Sequence, residues 1–93
     1  MTRYKVTQHQ MISAGEGIPV DSVVIDARKP KDAAVAYFRA HKVRGDRLHK
    51  IGPHGKGQWI GQVQSGSLIR YRIVATDEDV LARAAELRAA EEQ

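Results

Sequence analysis

The 93 residues contain no cysteine, and that absence removes disulfide scaffolds, thiol nucleophiles and Cys-ligated zinc or iron–sulfur centres together. Aromatic residues are nearly as scarce, with one Trp, one Phe and three Tyr. Leu, Ile, Val and Phe number only 21, while 12 further apolar residues are Ala, which buries little. A chain of this size hides roughly 60 to 65% of its unfolded surface. Its core is therefore small and cannot enclose a large cofactor, and none is expected. No apolar run approaches the roughly 20 residues of a membrane span. The opening Met1-Thr2-Arg3-Tyr4-Lys5 leads into polar residues rather than into the apolar core of a signal peptide. These features point to one cytoplasmic domain with no membrane partner.

Positive charge is what the chain has in excess: 15 Lys and Arg against 11 Asp and Glu, a net +4. The two signs are segregated. From Thr76 onward, Asp77, Glu78, Asp79, Glu86, Glu91 and Glu92 face only Arg83 and Arg88, which leaves +8 on residues 1–75. Arg39, Lys42, Arg44, Arg47, Lys50 and Lys56 fall within 18 residues, opposed by Asp46 alone. His41, His49 and His54 lie in the same stretch. A basic body of this kind is the electrostatic footprint of a protein that meets phosphates.

Periodicity divides the chain into residues 1–45, two strands and a helix, and residues 46–93, a meander followed by a helix. Arg3 to Gln8 alternates as a short strand, Gln10 to Pro19 is a loop, and the β-branched run Val20 to Ala27 is a second strand. Pro30 suits the first turn of a helix that runs to about Lys42 and is stopped by Gly45. The period then changes to two. Arg47–Ile51, Gln58–Gln64 and Leu68–Ala75 read as strands, with turns at residues 52–57 and 65–67. Thr76 and Asp79 resemble a capping box that opens the last helix, and Asp77, Glu78 and Asp79 favour its positive end. The expected class is α+β, in the order β-β-α-β-β-β-α, with an antiparallel three-stranded meander packed on the C-terminal helix.

Alternation assigns the meander's faces. Trp59, Gly61, Val63, Ile69, Tyr71 and Ile73 form the set to be covered by a helix, with Trp59 expected near Leu81, Ala84 and Leu87. The opposite set holds Gln58, Ile60, Gln62 and Gln64 with Leu68, Arg70, Arg72 and Val74. Two Arg and three Gln thus form a compact polar patch, bordered either by Lys50 or by Arg47 and His49. Arg and Gln are the side chains that pair two hydrogen bonds with guanine and adenine edges. The expected nucleic-acid contacts are therefore Arg47, Lys50, Lys56, Gln58, Gln62, Arg70 and Arg72, with duplex DNA favoured over RNA.

The run Gly57-Gln58-Trp59-Ile60-Gly61-Gln62-Val63, then Gly66, Arg70, Arg72 and Thr76, then a helix with Ala84 and Leu87, resembles a DNA-binding domain built from a three-stranded sheet and a helix. That domain is the arm-site-binding module of tyrosine integrases and also occurs in plant ethylene-response factors. The likeness covers about residues 46–90. It implies a sheet lying in the major groove with Gln58, Gln62, Arg70 and Arg72 at the DNA. Where that family commonly has a basic helix start, this chain has Asp77-Glu78-Asp79. A second likeness is to the double-stranded-RNA-binding domain, whose first-hairpin loop Gly52-Pro53-His54 resembles. The same acidic residues replace the lysines that anchor that family to phosphates, so it ranks lower.

Two other classes of function fit the composition. Ile60, Leu68 and Val74 would make an apolar patch for docking a protein partner or a second copy, as in inhibitors and adaptors encoded by phages and mobile elements. Tyr71, Arg70, Arg72 and Lys56 would be the groups of a small RNA-cleaving toxin that needs no metal, although no catalytic spacing singles them out and no enzyme is expected. His41, His49 and His54 fall on a helix, a strand and a turn without an i, i+4 pair, so no metal site is expected.

Overall fold

The computed structural model describes residues 1–13, 15–52, 55 and 57–91. Its elements are β1 (Thr2–Met11), β2 (Gly17–Ala27), α1 (Pro30–His41), β3 (Asp46–Gly52), β4 (Gln58–Ser65), β5 (Leu68–Asp77) and α2 (Glu78–Glu91). The class is α+β and the element order is the one the periodicity predicts. All five strands join one antiparallel sheet in the order β2-β1-β5-β4-β3. The two N-terminal strands therefore extend the meander: Val6 lies opposite Ala75 and Thr7 opposite Val74. Strand β5 becomes the middle of the sheet.

This order places β2 and β3 at opposite edges, and the alternating directions leave them parallel to each other. A parallel connection requires a crossover, and α1 is that crossover, passing over the three strands between. It covers the face carrying Trp59, Val63, Tyr71 and Ile73 together with Tyr4, Val6 and Ala75. Ala33, Ala34 and Tyr37 of α1 are buried against them. The expectation that the C-terminal helix covers Trp59 is corrected here. No residue of α2 is buried, and α2 stands beside Gln58 and Thr76, on the face opposite Trp59. Ile69 also leaves the inward set. A register shift between Val63 and Gln64 interrupts the alternation, and Ile69 is exposed.

One polar bridge fixes α1 on the sheet. The Tyr37 hydroxyl shares its proton between Gln8 Oε1 at 2.6 Å and Asp21 Oδ2 at 2.9 Å, which ties the helix to β1 and β2. Burial, and the hydrogen bond to Asp21, push its phenol well above the usual tyrosine range. His41 stacks on the ring with centroids 4.0 Å apart.

The helix ends differ in detail from the sequence reading. α1 stops at His41, where Lys42 turns extended while its N–H still reaches Phe38 O at 2.8 Å. Gly45, at φ 93°, serves instead the turn into β3. Thr76 does not cap α2. It is buried in β5, and its Oγ1 accepts from Gln58 Nε2 at 3.1 Å. Asp77 takes the capping role through Oδ1, which accepts the Asp79 N–H at 2.8 Å. Among the described residues no helix is long and apolar enough to cross a membrane.

Candidate functional site

The sheet face opposite α1 carries no covering helix except at the end where α2 stands beside Gln58 and Thr76, although Ile60 in its middle is buried; we call it the open face. Cross-strand partners share a face, so the registers define what this face presents. His9 lies opposite Arg72, Arg72 opposite Gln62, and Gln62 opposite His49. These four residues form a polar row across β1, β5, β4 and β3, about 14 Å long at the usual strand spacing. In the next row Ile60 faces Val74, and in the row beyond Gln58 faces Thr76. At the β3 edge Arg47 faces Gln64. Together His9, Arg72, Ile60 and Val74 line a shallow depression of about 270 Å³.

Arg72 sits at the centre of the row and is half-buried. Its Nε is buried without a hydrogen-bond partner. Among the described residues the only ion pairs are Arg3–Asp26 and Arg70–Asp46, so no carboxylate neutralises it. A buried cationic donor without a partner is costly and is met by a ligand or ordered water in most native sites. Burial, and secondarily the Arg72 guanidinium, hold His9 below its ordinary value of 6.5.

That depression has a measurable sign. Below pH 6.5 the unfolded chain binds a proton at His9 that the folded chain resists, so the stabilisation present above that value is lost as pH falls toward the lowered folded pKa. Urea midpoints should therefore drop between about pH 7.5 and 5.5, and His9→Gln should flatten that part of the drop. An equal slope in the variant would show that His9 is not shifted.

The residues expected from sequence divide into three groups. Arg72, Gln62, Gln58 and Arg47 lie on the open face, although Gln58 is partly engaged by Thr76. Lys50 and Arg70 are corrections. Lys50 faces Gly61, on the α1 side of the sheet. Arg70, the extra residue at the β5 bulge, is drawn to the buried Asp46 carboxylate, which also accepts the Val43 N–H at 2.9 Å. Its guanidinium is thus neutralised within the fold. Lys56 and His54 lie outside the described residues. His9 is the residue the sequence reading missed. Its alternation with Lys5 and Thr7 is the available signal, one residue beyond the Arg3–Gln8 run, and β1 extends to Met11.

The other constellations are not assembled. Of the groups of the RNA-cleaving reading, Tyr71 is buried on the α1 face with the Arg70 guanidinium 5.5 Å from its ring centre, Arg72 lies on the opposite face, and Lys56 lies outside the described residues. Leu68 pairs with Ser65 at the hairpin end, while Ile60 pairs with Val74 mid-sheet, so these three make no continuous apolar patch. No group of three His, Asp or Glu among the described residues could hold a metal. Family models, curated proteins and solved structures were all compared with the chain, and none matches it.

Proposed function

We propose that the chain is a small basic nucleic-acid-binding protein that contacts duplex DNA through the open face of its sheet. The single observation behind this reading is Arg72, a half-buried guanidinium without an acidic partner at the centre of a row of His and Gln donors. A phosphate there would neutralise a guanidinium that no carboxylate pairs among the described residues, through charge-assisted hydrogen bonds. The mode differs from a ribbon inserted in a groove. Five strands span about 19 Å between the outer strand axes, wider than the roughly 12 Å major groove. The face therefore bridges phosphate ridges, and recognition rests on charge and shape rather than on base edges.

If about three phosphates are neutralised, log K falls with log salt at a slope near −2.7. Arg72→Ala should weaken binding about tenfold and flatten that slope by about 0.9. Arg70→Ala should leave the slope alone, because that guanidinium is committed to Asp46. Fluorescence anisotropy on a random-sequence duplex at several salt concentrations measures all three. No binding at low salt, or a slope indifferent to Arg72, would overturn the reading.

A further inference from the structure

A second cationic surface lies on the other side of the sheet. Between α1 and the edge strand β3 runs a groove of about 520 Å³, rimmed by Lys31, Arg39, Arg47 and Lys50. No acidic residue lines it, and none of the four cations has a carboxylate partner among the described residues. Its floor is apolar and partly aromatic, from Phe38, Leu48 and Trp59. Four uncompensated cations select a polyanion, and an apolar aromatic floor selects a flat apolar group; a nucleotide unit has both. The volume is within the range that holds such a unit. The groove is also continuous with the open face, because Arg47 lines both it and the depression formed with His49 and Gln64.

We propose that this groove binds an unpaired nucleotide of a nucleic-acid strand, its base against the partly exposed Phe38, next to the buried Trp59, and its phosphates on Arg39, Arg47 and Lys50. The proposal rests on the reading of the chain as a nucleic-acid binder and sharpens its substrate: a duplex with a single-stranded extension, the paired part on the Arg72 face and the unpaired part turned around β3. Base–aromatic stacking is sequence-tolerant because every base has a π-face, so the extension's sequence should matter little.

The chain's single Trp supplies the readout. Titration with blunt duplex, with the same duplex carrying a thymidine overhang, and with an oligothymidine strand should show three patterns. The overhang should tighten binding about tenfold over the blunt duplex, and only the two ligands with unpaired bases should quench Trp59. Arg39→Glu and Lys50→Glu, both at exposed positions, should abolish the overhang's gain and leave blunt-duplex affinity within about twofold. Arg72→Ala should weaken blunt and overhang duplexes alike. Equal affinity for blunt and overhang duplexes would overturn the groove proposal and leave the Arg72 reading standing. Quenching by polyglutamate equal to that by oligothymidine would also overturn it, since the groove would then read charge alone. Loss of all binding in Arg72→Ala, with the groove variants unaffected, would confine recognition to the open face.

Discussion

Tyr37→Ala should destabilise the domain by about 3 to 5 kcal/mol, the range found when a large buried aromatic is truncated. Tyr37 is 1% exposed and is the largest of the fully buried side chains. Among the described residues it also makes the one side-chain bridge from α1 to both N-terminal strands. Small domains have roughly 5 to 15 kcal/mol in total, so the variant would stand near the limit of folding. Tyr37→Phe separates the two contributions. It keeps the ring and removes only the hydroxyl, and Asp21 is exposed enough to be solvated afterwards, so about 1 kcal/mol is expected. Urea denaturation followed by Trp59 fluorescence measures both. An alanine variant with the midpoint of the wild type would mean that α1 does not hold the sheet.

Trp59→Ala is the second large effect, also about 3 to 5 kcal/mol, and it has a steric counterpart. The indole lies across Gly61 on its own strand. A Cβ built at Gly61 would come 2.6 Å from Trp59 Cη2 and 2.8 Å from Leu48 Cδ1, closer than carbon atoms tolerate. Gly61 is required there by the ring that covers it, not by a positive φ. Gly61→Ala alone should cost about 1 to 3 kcal/mol through overpacking. In the Trp59→Ala background the clash with the ring is gone, only the Leu48 methyl has still to shift, and the new methyl partly fills the void, so the double variant should be more stable than the sum of the single ones implies. Strict additivity would place the indole elsewhere.

The period-two stretches and the Pro30 helix start were enough to predict every element, because alternation and helix punctuation are local properties of the chain. Which helix covers the sheet was not legible. The stripe Val80, Leu81, Ala84 and Leu87 looks as coverable as that of α1, and only the strand order, a long-range property, decides that the β2-to-β3 connection must cross the Trp59 face. The candidate site was half legible for the same reason. Arg72, Gln62 and Arg47 follow from simple alternation. Arg70 does not, since it is the extra residue at the register shift between Val63 and Gln64; for Lys50 alternation leaves two faces open, and only the pairing of His49 with Gln62 and Lys50 with Gly61 decides between them. A bulge adds one residue, and one residue is enough to turn a side chain to the other face. The Arg39-to-Lys50 cation cluster was visible as a run in the sequence. Its relation to Trp59 needed the fold.

The pairing of β1 with β5 also governs how the chain acquires this structure. Val6 meets Ala75 and Gln8 meets Ile73, so the central seam of the sheet joins segments from nearly opposite ends of the sequence. The β1–β2 hairpin and the β3–β4–β5 meander can each zip locally, but neither has a closed core until that seam forms and α1 is carried across it. Closing so long a loop before any contact rewards it slows folding. Folding is then expected in the millisecond-to-second range of sheet-dominated domains rather than the microsecond range of helical ones. During synthesis the inner edge of β1 stays unpaired until the chain has been made as far as Asp77, and Lys5, on that exposed strand, is the kind of charge that keeps an open edge from pairing with the wrong partner.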